Sequence, residues 1–441
     1  MNVKVATATC AVIVGLGMIG CGGSGAPATP PAAGGSTPPA TVTPDYAKKV
    51  DMNLDLAKGA LNIVYGDNTD LYAMAGMSAT AQEAKPKRGK GMSKIPYMLL
   101  GFLQDFTYKY YDRGGYPGKK TATMPEDHNV TLTFSCAYSG SYTVHEQVVL
   151  IDMGSEESYQ FLKEYTFDAC DHDSPIEMDF DDAALPPQYH FSYSGNLRFD
   201  VEYSDAGCCP GVDKEKVSLE ANSFVFSATE DGKKVQDLSA NFAASFDMYE
   251  TSNVYKYDIA MDGDVDAAEY NATSGEKVES FALKTKEYQY RGREKRKRYF
   301  DLNMDGYAFV APDMNVSHAA YIYGDGFKVV YQGDASDQDL WDIRFNGVLG
   351  ASCLGGSVAF ETTAAWDVNT TMPDYDDSTG YPKTPFAGKT TIAGADSKAE
   401  ITFGKTADPK SWAQIGMVGE APEAKTTIIK IMDENCTAGI F

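Results

Sequence analysis

The chain is poor in the residues that most often carry chemistry. Of its 441 residues three are Trp and five are His. The histidines, His128, His145, His172, His190 and His318, are scattered with no H-E-x-x-H or other paired metal spacing. There is no G-x-S-x-G, so no nucleophile elbow is announced, although a Ser-His-Asp triad assembled in space stays open. Cysteines are not spaced as C-x-x-C, which removes the common zinc and thioredoxin-like signatures. Positive charge is short: 38 Lys and Arg stand against 62 Asp and Glu, a net of −24. Phosphate binding rests on basic surfaces and counterion release, so nucleic acid is not an expected partner. After the first 20 residues no apolar run reaches the about 18 residues that a bilayer-crossing helix needs.

What is present begins at the N-terminus. A single charge, Lys4, precedes an apolar run from Val5 to Ile19, which ends in Met18-Ile19-Gly20-Cys21 and drops into Gly22-Gly23-Ser24-Gly25. Gly15-Leu16-Gly17-Met18-Ile19-Gly20 also matches a dinucleotide fingerprint. That motif needs a helix to start at the glycines, and the Gly/Pro tract that follows cannot form one. A positive start, a short apolar core and small residues at a cut are the processing signature, and the stretch resembles a bacterial lipoprotein signal. Gly20 and Cys21 fit that pattern, and Met18 departs mildly from it. The resemblance implies removal of residues 1–20, acylation of Cys21 as the mature N-terminus, and attachment to a membrane through the lipid. Gly22, where an Asp would retain the protein in the inner membrane, implies the outer membrane, facing the periplasm or the cell surface.

Residues 21–44 hold the lipid site and an uncharged Gly/Pro/Ala/Thr linker. It spans about 27 Å if flexible and about 70 Å if its prolines keep it extended. Residues 45–125 read as a helical N-terminal segment. Tyr46, Val50, Leu54, Ala57, Leu61 and Val64 recur at helical spacing from Asp45. A second run after Ser93 puts Ile95, Leu99, Phe102, Leu103, Phe106 and Tyr110 on one stripe. Between them Lys85, Lys87, Arg88, Lys90 and Lys94 form a basic loop, either a solvated connection or a contact with anionic lipid head groups.

From about Asn129 the apolar period changes to two. Val130, Leu132 and Phe134 alternate with Thr131, Thr133 and Ser135, and Leu238 to Met248 alternate for eleven residues. Strict alternation means one buried face and one wet face, which antiparallel sheets permit. Ser194-Gly195-Asn196, Glu230-Asp231-Gly232, Met304-Asp305-Gly306 and Gly324-Asp325-Gly326 read as turns between such runs. The expected fold is therefore mainly β: a large antiparallel sheet or sandwich body of successive hairpins over 126–345, with a C-terminal β subdomain over 346–441. The run Tyr165–Cys170, the repeated strand-turn-strand units, and Cys353–Phe360 followed by Gly388–Ala395 resemble β-rich outer-membrane lipoproteins of unassigned function. The resemblance implies export and a sheet-rich body, and brings no catalytic residue with it.

Apart from Cys10 and Cys21, six cysteines remain: Cys136, Cys170, Cys208, Cys209, Cys353 and Cys436. In an oxidising compartment an even number reads as disulfides. Adjacent Cys208 and Cys209 are poor partners for each other. Six cysteines allow 15 pairings, among which spacing does not choose; the pairing expected here is Cys353 with Cys436, closing the C-terminal segment, with Cys136 and Cys170 shared with the 208/209 pair.

Two acidic stretches could hold calcium. Asp301, Asn303 and Asp305 followed by Gly306 match the first half of an EF-hand loop, but Pro312 stands where its bidentate Glu belongs. Asp262, Asp264 and Asp266 have the spaced oxygens without the glycine. Both stretches also read as ordinary turns. Arg291, Arg293, Lys295, Arg296, Lys297 and Arg298 form the densest positive run, between strand-like Tyr288–Tyr290 and Tyr299–Phe300. It reads as a hairpin tip, either solvated or touching a polyanion. Asp171-His172-Asp173 is the one local acid-His-acid arrangement, and reads as a wet loop.

These features favour a non-enzymatic, membrane-anchored envelope protein binding an envelope component, a carbohydrate or a partner protein. The alternatives are a polysaccharide hydrolase on a β scaffold and a lipid carrier. The first predicts an exposed aromatic patch and no clustered perturbed carboxylates, the second two facing acids in a cleft, and the third a deep apolar pocket.

Overall fold

The computed structural model describes residues 45–65, 128–152, 157–173, 176, 189–205, 213–250, 255–294, 297–311, 319–334, 340–369, 384–406, 411–432 and 436. The sequence features at 1–44, the basic loop at 85–94, the second helical stripe and Cys208-Cys209 lie outside them. The protein is mainly β. Its strands are β1 (His128–Ser135), β2 (Ser139–Asp152), β3 (Glu157–His172), β4 (Tyr189–Asp205), β5 (Asp213–Glu230), β6 (Lys233–Glu250), β7 (Tyr255–Tyr270) and β8 (Lys277–Glu294). They continue with β9 (Lys297–Ala311), β10 (Ala320–Asp334), β11 (Leu340–Ala351), β12 (Gly356–Asn369), β13 (Ala387–Ala393), β14 (Lys398–Lys405) and β15 (Ser411–Met417). All fifteen form one sheet in strictly sequential order, each antiparallel to the next, with β1 and β15 at its two ends.

Alternation explains the two faces. On the inner face a single apolar cluster takes in Phe167 of β3, Phe224 of β5, Met304 of β9, Phe345 of β11, Trp366 of β12 and Ile415 of β15. For such distant strands to share one cluster the sheet must curl round its inner face, as sheets of this many strands do. The curl is built at glycines. Gly195 in β4 has φ 87° and lies against the backbone of Ser223 in β5, itself at φ 49°, so close that a Cβ would meet its carbonyl oxygen. Gly140 and Ala169 repeat the arrangement between β2 and β3, and the strand register shifts at both places.

This corrects several expected turns. Ser194-Gly195-Asn196, Met304-Asp305-Gly306 and Gly324-Asp325-Gly326 lie inside β4, β9 and β10, where glycine bends a long strand rather than ending it. Only Glu230-Asp231-Gly232 among the four stands at a hairpin turn, between β5 and β6. The strands consequently reach 18 residues. The expected division at 345/346 falls within β11, which pairs unbroken with β10 through Arg344–Asn346 and shifts register against β12 between Ile343 and Asn346.

The N-terminal helix is shorter than its periodicity suggests. Residues 45–53 form a strap: Val50 N donates to Ser357 O (3.2 Å), Ser357 N to Lys48 O (2.9 Å), and Ala395 N to Val50 O (2.7 Å). The Asn53 side chain then accepts from Leu56 N at 2.8 Å, an N-cap that starts α1 (Leu54–Tyr65). Helix α1 buries Ala57, Ala60, Leu61, Val64 and Tyr65 in the main cluster, with Tyr65 edge-on to Trp366 at 5.0 Å. Cys353, in the short 3-10 turn Ser352–Leu354, is bonded to Cys436 across 83 residues, with Cα atoms 5.2 Å apart. That bond holds the C-terminal segment against α1, where Asn62 Nδ2 donates to Cys436 O at 3.0 Å. The other bond joins Cys136 to Cys170, Cα atoms 5.5 Å apart, which corrects the expected sharing with Cys208 and Cys209. The two meet because the turn after β1 lies against the end of β3, where Tyr138 N donates to Asp171 O at 3.0 Å and Ser139 pairs with Asp171. No described helix is long and apolar enough to cross a membrane.

The two sheet ends differ. Beyond β15 the chain returns alongside it: Ala413 and Thr426 exchange N–H···O bonds at 2.7 and 2.9 Å, and Glu423 N donates to Ile415 O at 2.8 Å. Helix α2 (Ile428–Ile431) follows and buries Ile428 and Ile431. Strand β1 has no such cover among the described residues.

Candidate functional site

The outer face of β7 to β10 is the most differentiated surface of the described protein. Sheet register places one residue from each strand on a common rung: Asn241 of β6, Asp264, Lys284, Tyr307 and Tyr323. The next rung carries Asp266, Ala282, Phe309 and Tyr321. At about 4.8 Å per strand, Asp264 and Tyr323 are separated by about 14 Å. Asp305 stands one pleat along β9 from Tyr307, and Asp325 one pleat along β10 from Tyr323.

The rings gather because the N-terminal strap crosses this face. Tyr46 stacks on Tyr307 at 4.6 Å and on Tyr323 at 5.8 Å, and meets Tyr321 edge-on at 5.4 Å. Phe309, Ala311 and Tyr321 form a small buried cluster beneath Tyr46, apart from the main core. Tyr307 and Tyr323 stay half-exposed, and Asp264, Asp266, Asp305, Asp325 and Lys284 are exposed.

Burial and the surrounding acids keep these phenols protonated. Burial first, then Tyr307 and Tyr321, raise the Tyr46 phenol far above its ordinary value. Burial and the carboxylates of Asp266 and Asp264 raise Tyr307; burial and those of Asp325 and Asp305 raise Tyr323. Asp266 is itself raised, by partial burial, then Asp264 and Asp237, against the pull of Lys277. The site therefore offers half-exposed tyrosine rings around Tyr46, neutral hydroxyl donors and a row of carboxylate acceptors.

The calcium stretches take a different form from the expected turns. Asp262, Asp264 and Asp266 are mid-strand in β7, and Asp301, Asn303 and Asp305 mid-strand in β9. Alternate residues of a strand lie about 6.7 Å apart, so an extended run cannot wrap one ion as a loop does. Asp305 has a local task instead: its Oδ1 accepts the N–H of Gly326 at the β10 bulge. No group of three or more His, Cys, Asp or Glu that could hold a metal occurs among the described residues.

The positive run does fall at a hairpin tip. Arg291 and Arg293 are in β8, Lys297 and Arg298 in β9, and Glu294 is paired with Lys297, so Lys295 and Arg296 connect the strands. Asp171 and His172 end β3 rather than lying in a loop, with Asp173 just beyond. Asp171 Oδ1 accepts from Ser192 Oγ at 3.3 Å and lies 3.8 Å from His190 Nδ1, whose ring stacks on Tyr138 at 4.1 Å. The serine donates to the acid rather than to the imidazole, an order unlike a nucleophile–base relay.

A second acid pair sits on β11 and β12. Asp342 and Asp367 are directly opposite in register. Partial burial, then the hydrogen bond and charge of Asp342, raise Asp367, while Arg344 pulls it down.

The sequence reading missed the tyrosine cluster. Its only signal was composition, 28 Tyr against three Trp. Tyr46, Tyr307, Tyr321 and Tyr323 meet through cross-strand register and a strap 261 residues away from Tyr307, which no local pattern encodes. Comparison with protein-family models, with curated proteins and with solved structures finds no match for this chain. The fold and surface define a single-sheet antiparallel β protein with an aromatic and acidic outer face.

Proposed function

We propose that the chain is a non-enzymatic cell-envelope lipoprotein, anchored through Cys21, that binds a neutral or amino-bearing glycan on the outer face of β7 to β10. The observation that carries this reading is the half-exposed pair Tyr307 and Tyr323, held beside Asp264, Asp266, Asp305 and Asp325. Flat tyrosine faces suit the apolar face of a sugar ring, and the hydroxyls and carboxylates suit its hydroxyl groups. The acids disfavour anionic sugars, and they would attract a protonated amine, which also gains from an aromatic face. The Gly/Pro linker ends at residue 44, immediately before Tyr46, so the tether reaches the body at this face.

The test is a glycan array followed by calorimetry with any captured oligosaccharide, using Cys21→Ala protein. Tyr307→Ala/Tyr323→Ala should weaken binding by at least about tenfold, the loss of about 1.4 kcal/mol of stacking. Capture of no neutral or amino sugar, or capture that survives the double substitution, would remove the proposal.

A further inference from the structure

At the β1 end the core-facing surface of the sheet runs out into solvent. Val130, Leu132 and Phe134 lie on the inner face, opposite Glu146, Val144 and Tyr142 of β2. Phe134 stacks on Tyr142 at 5.0 Å, Tyr142 meets Phe167 at 6.2 Å, and Phe167 stacks on Tyr193 at 5.2 Å. Deeper members of this aromatic row are buried, yet Val130, Leu132 and Phe134 are 40%, 52% and 40% exposed.

Among the described residues the backbone edge is open in the same place. Cys136 N donates to Gly140 O, in the first pair of the β1–β2 hairpin. Antiparallel strands alternate, so Phe134, Leu132 and Val130 also direct their N–H and C=O groups to β2. Those of Asn129, Thr131, Thr133 and Ser135 therefore point outward. Natural sheets blunt such edges with Lys, Pro or a covering segment. The β15 end has its covering segment at 423–426, whereas β1 carries neither Lys nor Pro.

We propose that β1 is a self-association surface, and that its occupant is β1 of a second copy of this chain, paired antiparallel about a two-fold axis at Leu132. Two observations select a second copy. First, the strand is self-complementary. The axis sets Leu132 against Leu132, Val130 against Phe134 and Thr131 against Thr133, so like meets like on both faces. The outward-pointing residues then fall in register, Asn129 with Ser135 and Thr131 with Thr133, each pair exchanging two hydrogen bonds. Second, the strand has no Asp, Glu, Lys or Arg in a chain of net charge −24. Two copies can meet there without a like-charge pair across the ladder. The product is one continuous sheet, joined by main-chain bonds and closed on its inner face by six apolar side chains, as in strand addition generally.

Light scattering of Cys21→Ala protein across a concentration series tests this, with no acyl chain to confound the mass. The expected result is twice the monomer mass, with association strengthened by salt as net repulsion is screened. Thr131→Pro deletes an outward N–H and leaves the β2 ladder intact, and Leu132→Lys sets two like charges on the axis. Each should weaken association by at least about tenfold while near-UV circular dichroism stays unchanged. A monomer at every concentration would overturn the proposal, as would a dimer indifferent to both substitutions. Hydrogen exchange adds an independent arm: Thr131 and Thr133 amides protected in a monomeric protein would mean that another part of the chain covers β1, and the proposal fails.

Discussion

Gly59 sets two effects of known size against each other. It lies inside α1, where replacing glycine by alanine ordinarily gains about 1 kcal/mol of helix stability. Here a Cβ would stand 2.8 Å from Cys436 Sγ and 2.9 Å from its Cβ, well inside the about 3.5–4.0 Å of an ordinary carbon contact. Cys436 cannot simply move aside. Its sulfur is bonded to Cys353, its carbonyl accepts from Asn62, and it is buried. Overpacking costs about 1–3 kcal/mol, and at a site this constrained the upper part of that range, about 2–3, outweighs the about 1 kcal/mol that propensity returns. Gly59→Ala should therefore lower stability by about 1–2 kcal/mol, read as a fall in the urea midpoint at constant slope. In a Cys353→Ala/Cys436→Ala background the obstructing sulfur is gone, and the same substitution should be neutral or stabilising by up to about 1 kcal/mol. The double-mutant cycle isolates the clash as a coupling of about 1–3 kcal/mol. A Gly59→Ala protein more stable than the parent with the disulfide intact would refute the packing of α1 against the C-terminal segment.

Three further outcomes follow from named groups. Thr390 accepts from Trp366 Nε1 at 2.7 Å and shares a hydrogen bond with Thr362 at 3.0 Å, all buried; Thr390→Val should cost about 1–3 kcal/mol in denaturant unfolding by orphaning the indole N–H. The Cys136–Cys170 bond closes 34 residues, so Cys136→Ala/Cys170→Ala should cost about 4 kcal/mol by chain entropy, with loss confined to the β1–β3 end in hydrogen exchange. Because Asp367 is raised in the folded state, the folded form binds more protons than the unfolded, and stability falls as pH rises from the ordinary aspartate range through the raised value. Asp367→Asn should remove that slope and stabilise at pH 7 by a few tenths of a kcal/mol, since the group is partly exposed and screened; a pH–stability curve unchanged by the substitution would refute the upward shift at Asp367.

Much of the architecture is legible in the chain because its cause is local. The alternation in 129–136 and 238–248 determines a sheet with one wet face, and apolar spacing over 54–65 determines a helix, since each depends on residues within two turns or one strand. The charge run at 291–298 marks a hairpin for the same reason, its flanks pairing with each other at the ends of β8 and β9. Where the cause is a neighbour distant in sequence, only the tertiary structure decides. Gly195 and Gly324 read as turns, and lie inside strands where a facing strand is too close for any Cβ. Tyr46 reads as the first turn of a helix; the open edge at Ser357 instead captures the adjoining backbone as a strap, and the ring is laid on Tyr307. Cys136 takes Cys170 because hairpin packing sets their Cα atoms 5.5 Å apart, a distance that spacing along the chain does not contain. Local periodicity determined the faces of the sheet, and long-range register determined which residues meet on them.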